Sequence, residues 1–230
     1  MSRHQSAQEA RAELEATLGA ELGAALHELH QDMFYLHLKW QQYRELYGSK
    51  PERIELLNQS SPMFFRVVQD TLWDDTLLHL CRLTDPPGQG KRQVLSIQRL
   101  PTLIADQGMR EELERHVTTA VDAAAFARDW RNRRIAHRDL AHALSPAVQP
   151  LAAASRQAVE AALSALREAL RFLNHGLRDT DVRFDLTDHM SDAESLLHLL
   201  RDGLSARDER ERALLEGRIG PPDWGIPPAV

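Results

Sequence analysis

The sequence has few of the features on which several classes of protein depend. It contains one cysteine, Cys81, in 230 residues, which excludes an intramolecular disulfide and any cysteine-rich metal site. No apolar run approaches the roughly 18 residues that a membrane-spanning helix needs. Residues 1–16 lack the apolar stretch of a secretory signal peptide, so we expect a cytoplasmic protein.

The sequence also lacks a positive net charge, clear β-structure signals and common nucleotide-binding motifs. The formal net charge of −6 argues against a general nucleic-acid coat protein, although it leaves room for one local basic site. The sequence has no runs of β-branched residues and no Asn-Gly hairpin turn. A P-loop, a dinucleotide-type glycine motif and a Gly-x-Ser-x-Gly motif are all missing.

What the sequence does contain is helix-forming residues, chiefly alanine, leucine, glutamate, arginine and glutamine. Their apolar members recur at steps of three and four, so we predict an all-α bundle of about five to seven helices with a C-terminal helical extension. Gly176 is expected to cap one helix, and Ser191 with Glu194 to begin the last one. The predicted helices cover residues 6–47, 52–58, 62–84, 96–106, 109–140, 151–176 and 192–216.

The densest positive patch of this acidic chain lies in "DWRNRRIAHRDL", residues 129–140. The arginines continue helical stripes that are apolar one turn earlier, so we expect them where the core opens into a cleft or an interface. His137 is the one histidine within the patch. The arginines of the patch are Arg128, Arg131, Arg133, Arg134 and Arg138.

These residue types support phosphoryl chemistry. An imidazole can accept and return a proton near neutral pH, and guanidinium groups stabilise charge on a phosphate. The alternative is an arginine-rich helix end that forms salt bridges and complements the helix dipole. Spacing alone favours this alternative, because Arg110 with His116 and Arg183 with His189 have the same spacing as Arg131 with His137.

A family resemblance adds to this interpretation. "RNRRIAH" resembles the Arg-Asn-x(2–4)-His signature of the HEPN superfamily. Together with "QQYRELYG" and "SSPMFFRVVQDTLWDDTLLHLCRLTDPP", in that order, it makes most of residues 1–190 similar to the AbiU-type HEPN branch linked to abortive infection. The resemblance implies a HEPN-like helical bundle, usually dimeric, in which two signature helices form one composite site. Many members of the superfamily are metal-independent ribonucleases, and some are binding or scaffold modules.

The resemblance also implies roles for individual residues. His137 is expected to be the general acid or base, Arg131 the main phosphate contact and Asn132 a positioning residue. Arg133, one turn before His137, is an alternative phosphate contact that the sequence does not exclude. On an ideal helix Arg131 and His137 lie about 120° apart, so they need a distorted helix end, arginine's reach or a partner subunit to meet. The RNA backbone would be held by Arg128, Arg133, Arg134 and Arg138.

A second polar set, consisting of Asp75, His79 and Arg82, shares one predicted helix face. In a functional interpretation the set faces the cleft of the signature, with Asp75 orienting His79. We prefer an intrahelical ion-pair ladder. Arg82 remains a secondary candidate because "RLTD" also matches the AbiU-like pattern.

The remaining histidines, tryptophans and the cysteine are expected to be structural. Base stacking by Trp130 is the alternative to a role in the core, and no metal or cofactor is expected. The residues concerned are His27, His30, His37, Trp40, Trp73, Trp130 and Cys81.

The predicted function is therefore a metal-independent endoribonuclease in phage defence or toxin-like growth control. Its partners would be RNA, such as tRNA or mRNA, and a second copy of the chain, and an antitoxin or regulatory partner is left open. The alternative is a non-catalytic dimerisation or nucleotide/phosphate-binding module. We assign residues 1–190 to the HEPN domain, 191–216 to a helix that packs on it or extends as a docking arm, and 217–230 to a disordered tail.

Overall fold

The computed structural model describes residues 6–48, 50–89, 92–137, 139–144, 150–184 and 192–218. It confirms the all-α prediction, and the exception within these ranges is a two-residue antiparallel ladder of Gly88–Gln89 with Arg92–Gln93. Ser191, Arg138 and the tail from residue 219 lie outside the described residues. The helices are α1 (Ala7–Leu18), α2 (Ala20–Tyr47), α3 (Pro51–Ser60), α4 (Pro62–Thr84), a 3-10 helix (Ile97–Leu103), α5 (Gln107–Ala123), α6 (Ala125–Trp130), a π-helical turn (Arg131–Ile135), α7 (Leu140–Leu144), α8 (Arg156–Arg178) and α9 (Asp192–Leu215).

The single long helix predicted over residues 6–47 is wrong, because the chain turns back at Gly19. Gly19 has φ 86° and ψ 157°, a conformation that glycine adopts without steric cost. α1 then folds along α2 so closely that a Cβ at Gly23 would lie 2.5 Å from backbone atoms of Leu14 and Glu15. Apolar periodicity did not reveal this hairpin, since it runs through both helices.

The helix predicted over residues 109–140 is also interrupted. α5 ends at Ala123, and α6 begins at Ala125. The Arg128 guanidinium donates a hydrogen bond to the Val121 carbonyl, an acceptor that a continuous helix would use internally. A side-chain contact from seven residues further along the chain thus stabilises a break that local propensity does not predict.

α4 occupies the central position that its two apolar stripes predict, in contact with α2, α3, α6 and α8. The predicted leucine seam of α8 is confirmed, because every member of it is buried. Its residues are Val159, Leu163, Leu166, Leu170 and Leu173. Gly176 does not cap this helix: Asp179, in the left-handed conformation with φ 50°, does so. Gly176 instead leaves room for Met109, whose methyl group would lie 2.3 Å from a Cβ.

A smaller apolar cluster attaches the first half of α9 to α2, α3 and α4. Its buried residues are Leu46, Leu57, Phe65, Ala193 and Leu197. The main core, by contrast, joins α1, α2, α4, α5, α6 and α8 with the 3-10 helix. The C-terminal helix therefore rests on the edge of the bundle and adds little to its centre.

The close approach of α1 and α2 predicts a strong effect of Gly23→Ala. The added methyl group would push the two backbones apart, so the free energy of unfolding should fall by about 1–3 kcal/mol. Gly203→Ala is the matched control within a helix, because nothing lies within 4 Å of a Cβ there. Gly203→Ala should raise the free energy of unfolding by up to about 1 kcal/mol, because alanine favours the helix over glycine. Urea unfolding followed by circular dichroism measures both, and equal effects would contradict the hairpin.

Candidate functional site

The signature segment leaves α-helical geometry at Arg131. Residues Arg131–Ile135 form a π-helical turn, in which the Ala136 N–H donates to the Arg131 carbonyl at 2.8 Å. His137 follows this turn and is exposed. Single π-helical turns are rare and occur frequently at functional sites. The ideal-helix angle between Arg131 and His137 therefore does not apply, and the helix end is distorted.

Arg131 is held at the end of α4. Its Nη1 lies 2.5 Å from Asp85 Oδ2, and its Nε donates to Asn132 Oδ1 at 3.1 Å. The two ion-paired side chains are 26% and 25% exposed, so the pair is fixed and still reachable from solvent. Asp85 Oδ1 is buried and has no hydrogen-bond partner among the described residues.

Asp85 is the site residue that sequence reasoning missed. It lies 46 positions before Arg131, and no spacing rule connects the two. The available signal was "RLTD", whose last residue is Asp85. That segment resembles the family pattern, and the candidate predicted within it is Arg82.

The guanidinium of Arg128 forms hydrogen bonds within the protein. Nη1 donates to the Thr84 hydroxyl at 3.0 Å, and Nη2 donates to the Val121 carbonyl. It thereby joins the end of α4 to the junction between α5 and α6. Arg131 is likewise ion-paired with Asp85. Two consecutive residues at the end of α4, Thr84 and Asp85, are therefore bound to Arg128 and Arg131.

Arg133 is likewise engaged by neighbouring groups. Its Nε and Nη2 donate to the two carboxylate oxygens of Asp129, both at 2.6 Å, and Nη2 also donates to the Pro150 carbonyl at 2.8 Å. The hydrogen bond from Arg133, with a further one from the Ala152 N–H, holds the pKa of Asp129 below its usual value. This bidentate pair fixes the returning chain at residues 150–152 against the signature.

Arg134 differs from the other described arginines of the patch. Its guanidinium is exposed and lies over the Trp130 ring, with 4.9 Å between Cζ and the ring centroid. Among the residues that the structure describes, no carboxylate lies within 4 Å of its nitrogens. Asp74 is near enough for its charge to interact, and burial raises the pKa of that carboxyl. Within the described part of the chain, Arg134 is therefore a cation without a close counter-ion.

Trp40, Trp73 and Trp130 form one aromatic cluster, as expected of core anchors. Trp40 is buried, and its ring centroid lies 6.2 Å from that of Trp73, which lies 6.3 Å from that of Trp130. Trp130 Nε1 donates to the Ala152 carbonyl at 2.8 Å. With Trp73 and Arg134 both against its ring, Trp130 has a structural role, and a stacking base would have to displace Arg134.

The second polar set faces α2. Asp75 is ion-paired with Lys39, and Arg82 Nη2 lies 3.0 Å from Asp32 Oδ1 and 2.8 Å from His79 Nε2. The set is therefore an interhelical network, with one contact along α4 itself. His79 is buried, and this burial, aided by the charges of Lys39 and Arg82, lowers its pKa to about 4.

Other buried or half-buried titratable groups also have structural surroundings. His30 Nε2 lies 2.9 Å from Asn174 Nδ2, and burial lowers the pKa of His30 to about 4. His37 stacks on Phe184. Burial raises the pKa of Cys81 to about 11. Within the described ranges, no three His, Cys, Asp or Glu side chains come together in a way that could hold a metal ion.

The helical bundle and its Arg-Asn…His turn define a protein of the HEPN class. The family model for AbiU2 matches residues 19–198, which is most of the chain, so this protein belongs to the AbiU2 branch of the HEPN superfamily. The branch is linked to abortive infection, a form of phage defence. Searches of curated proteins and of solved structures gave no significant match. No helix in the described part of the chain is long and apolar enough to cross a membrane.

Two histidines, His30 and His79, have lowered pKa values in the folded protein and predict a loss of stability in mild acid. The folded state keeps His30 and His79 neutral down to about pH 4, whereas the unfolded chain protonates them near pH 6.5. The unfolded state then binds more protons, so the free energy of unfolding should fall from pH 6.5 to pH 4, by up to about 3 kcal/mol for each histidine.

Urea unfolding at several pH values between 4 and 7 measures this dependence. His79→Gln should make it shallower. His175→Gln, which alters an exposed histidine of α8, should leave it unchanged. A slope that is the same in all three proteins would exclude His79 as a source of the pH dependence.

Proposed function

We propose that this protein is a metal-independent HEPN endoribonuclease that acts in phage defence or toxin-like growth control. One observation carries the proposal. The signature forms a π-helical turn at the surface that presents the partly exposed guanidinium of Arg131, held by Asp85, and then the exposed imidazole of His137. Membership of the AbiU2 family supports RNA as the substrate.

The reaction assigned to this turn is an internal transesterification. His137 accepts the proton of an RNA 2′-hydroxyl, whose oxygen attacks the adjacent phosphorus while the bond to the 5′-oxygen breaks. The 5′-oxygen leaves with a proton donated by an acid group, for which His137 of the partner subunit is the candidate. The products are a 2′,3′-cyclic phosphate and a 5′-hydroxyl, and no external reactant is needed.

Arg131 is the residue we assign to the scissile phosphate. Its ion pair with Asp85 and its hydrogen bond to Asn132 leave the guanidinium little freedom, and a cation fixed before the reaction stabilises developing charge at little reorganisation cost. Asn132 therefore acts as a positioning residue. Arg133 is less suited to this role, because its Nε and Nη2 both donate to the carboxylate of Asp129.

The remaining arginines divide into supporting and binding residues. Arg128 and Arg133 maintain the shape of the turn through the contacts described above. Arg134 is exposed without a close carboxylate among the described residues, so it is the best placed to bind the RNA backbone. Arg138, which lies outside the described residues, keeps the same proposed role.

A homodimer is part of the proposal because one signature turn supplies one imidazole, whereas the reaction uses a base and an acid. A surface for the second copy exists on α4, where Phe64 and Val67 are 62% and 61% exposed. Asp74, seven residues after Val67 and thus on the same helix face, approaches Arg134. Pairing through this face would bury apolar surface next to the signature turn.

The competing function is a phosphate-binding module without catalysis. The internal pairing of Arg131 with Asp85 and of Arg133 with Asp129 favours it, because a paired guanidinium attracts a phosphate less strongly. In that case His137 would have no chemical role, and its replacement would leave binding intact.

Cleavage of total RNA and transfer RNA in the presence of EDTA tests the catalytic assignment. His137→Ala and Arg131→Ala should each lower the rate by about 10²–10⁴, and the wild-type fragments should end in 2′,3′-cyclic phosphate. His116→Ala is the matched control, since Arg110 and His116 have the same spacing in α5 and His116 stacks on Phe172. Cleavage by His137→Ala at the wild-type rate would refute the assignment. RNA binding without cleavage by the wild type would favour the module.

The division among the arginines gives a separate prediction. Arg134→Ala should weaken RNA binding and reduce the slope of log affinity against log salt by about 1, because one phosphate contact is lost. Arg128→Ala should instead lower the free energy of unfolding by about 1–3 kcal/mol, because the Thr84 and Val121 acceptors lose their donor. Fluorescence anisotropy at three salt concentrations and urea unfolding separate the two effects, and the reverse pattern would contradict the division.

A further inference from the structure

Residues Arg201–Leu215 of α9 are largely exposed, and we refer to them as the arm. All of its residues are exposed apart from Leu204, which is half-buried, and Ala213, which is buried. The packing of α9 on α2 and α3 comes from its first half, through Ala193 and Leu197. The arm also lies beyond residue 198, where the family match ends. It is therefore an addition to the family bundle.

The apolar stripe that attaches α9 to the bundle continues along the arm. Leu200 packs on the smaller cluster, and the same helix face then carries Leu204 and Leu214. Leu214 is 39% exposed and its neighbour Leu215 is 88% exposed. An isolated helix of this length is marginal in water, so a leucine stripe on a largely exposed arm indicates a surface that another helix covers.

Two charged residues interrupt the stripe, and their positions determine which helix fits. Arg207 and Glu211 lie between Leu204 and Leu214, so the four residues follow steps of three, four and three, the heptad spacing of a coiled coil. In this structure Arg207 Nε lies 3.9 Å from Glu211 Oε1. The arm thus presents leucine, cation, anion and leucine in that order.

This order is complementary to its own reverse, because reversal places an anion opposite each cation and a leucine opposite each leucine. In an antiparallel pair, Leu204 faces the partner's Leu214, and Arg207 faces the partner's Glu211. The other two contacts repeat these by two-fold symmetry. A parallel pair would place Arg207 against the partner's Arg207 and Glu211 against the partner's Glu211. Charge complementarity therefore selects the antiparallel arrangement, as buried polar positions do in coiled coils.

We propose that the arm is an antiparallel self-association surface, occupied by the arm of a second copy of this chain. RNA does not suit the arm, because its arginines alternate with a similar number of carboxylates and provide no basic stripe. These charges are Arg201, Asp202, Arg207, Asp208, Glu209, Arg210, Glu211 and Arg212. The proposal does not depend on ribonuclease activity.

Disulfide trapping in the full chain tests the register directly. Leu204→Cys protein mixed with Leu214→Cys protein should form an interchain disulfide several-fold faster than Leu204→Cys protein alone. Cys81 contributes little background, because it is buried and its pKa is raised to about 11. Ser205→Cys mixed with Glu209→Cys is the control, since these positions lie off the stripe and should cross-link slowly.

Charge exchange provides the second measurement, by sedimentation of the full chain. Arg207→Glu and Glu211→Arg should each weaken self-association, because each places like charges opposite one another. An equimolar mixture of the two variants should associate again, since every layer then joins Arg to Glu. Glu209→Arg, on the opposite face, should behave as the wild type. Circular dichroism verifies that each variant keeps its helix content.

The outcomes of these experiments either support or overturn the antiparallel arrangement of the arm. Fast cross-linking between Leu204→Cys and Leu214→Cys, together with recovery of association in the mixture, supports the antiparallel arm. Faster cross-linking of Leu204→Cys with itself would show a parallel pair and overturn the proposal. Absence of cross-linking, with charge variants that sediment as the wild type, would show that something else covers the stripe, such as residues 219–230 of the same chain. A failure here leaves the cleavage assay unaffected, so the two proposals are judged separately.

Discussion

The contacts between the end of α4 and the signature segment are the constraint on which the site depends. Thr84 accepts from Arg128, and Asp85 forms an ion pair with Arg131, so two adjacent residues hold the segment on both sides of Asp129 and Trp130. Since α4 is central in the bundle, its end is fixed by the packing of four other helices. α4 ends at Thr84, and the ion pair of Asp85 with Arg131 follows directly, so the π-helical turn has a rigid support. The exposed Arg134 within the turn and the exposed His137 just after it are positioned by this support.

The local excess of arginine in an acidic chain has a structural explanation beside the function that we propose for it. A guanidinium has five donors, and here most of them satisfy carbonyls, a hydroxyl and carboxylates near a point where regular helix ends. Arg128 and Arg133 bind the chain on either side of the turn. The structure therefore agrees with the salt-bridge interpretation for Arg131 and Arg133, and with a structural role for Arg128. The functional interpretation stays a prediction, and it concerns chiefly Arg134, which lies at the surface without a close carboxylate among the described residues. A basic patch counted from sequence overstates the charge that a phosphate would meet.

Histidine shows how burial decides the use of one residue type. His30 and His79 lie in the bundle, where desolvation keeps them neutral, and both serve as hydrogen-bonding groups within helix packing. His137 has the same imidazole but lies in an exposed segment after the last turn of the signature. Proton transfer to a substrate requires solvent access. Of these three histidines, His137 therefore suits the chemistry proposed for the signature. Spacing does not distinguish these cases, because exposure is a property of the packed bundle.

The sequence by itself determined the helix content, the bounds of α4, the seam of α8 and the position of the signature, because these depend on local propensity and on periods of three and four residues. The tertiary structure decided the rest. The turn at Gly19 and the break at Ala124 follow from packing and from a side-chain contact, neither of which alters the apolar period. Asp85 became a site residue, and Asp75 turned toward Lys39, through contacts between positions 46 and 36 residues apart. Such contacts depend on how the helices pack together, which a linear pattern does not encode.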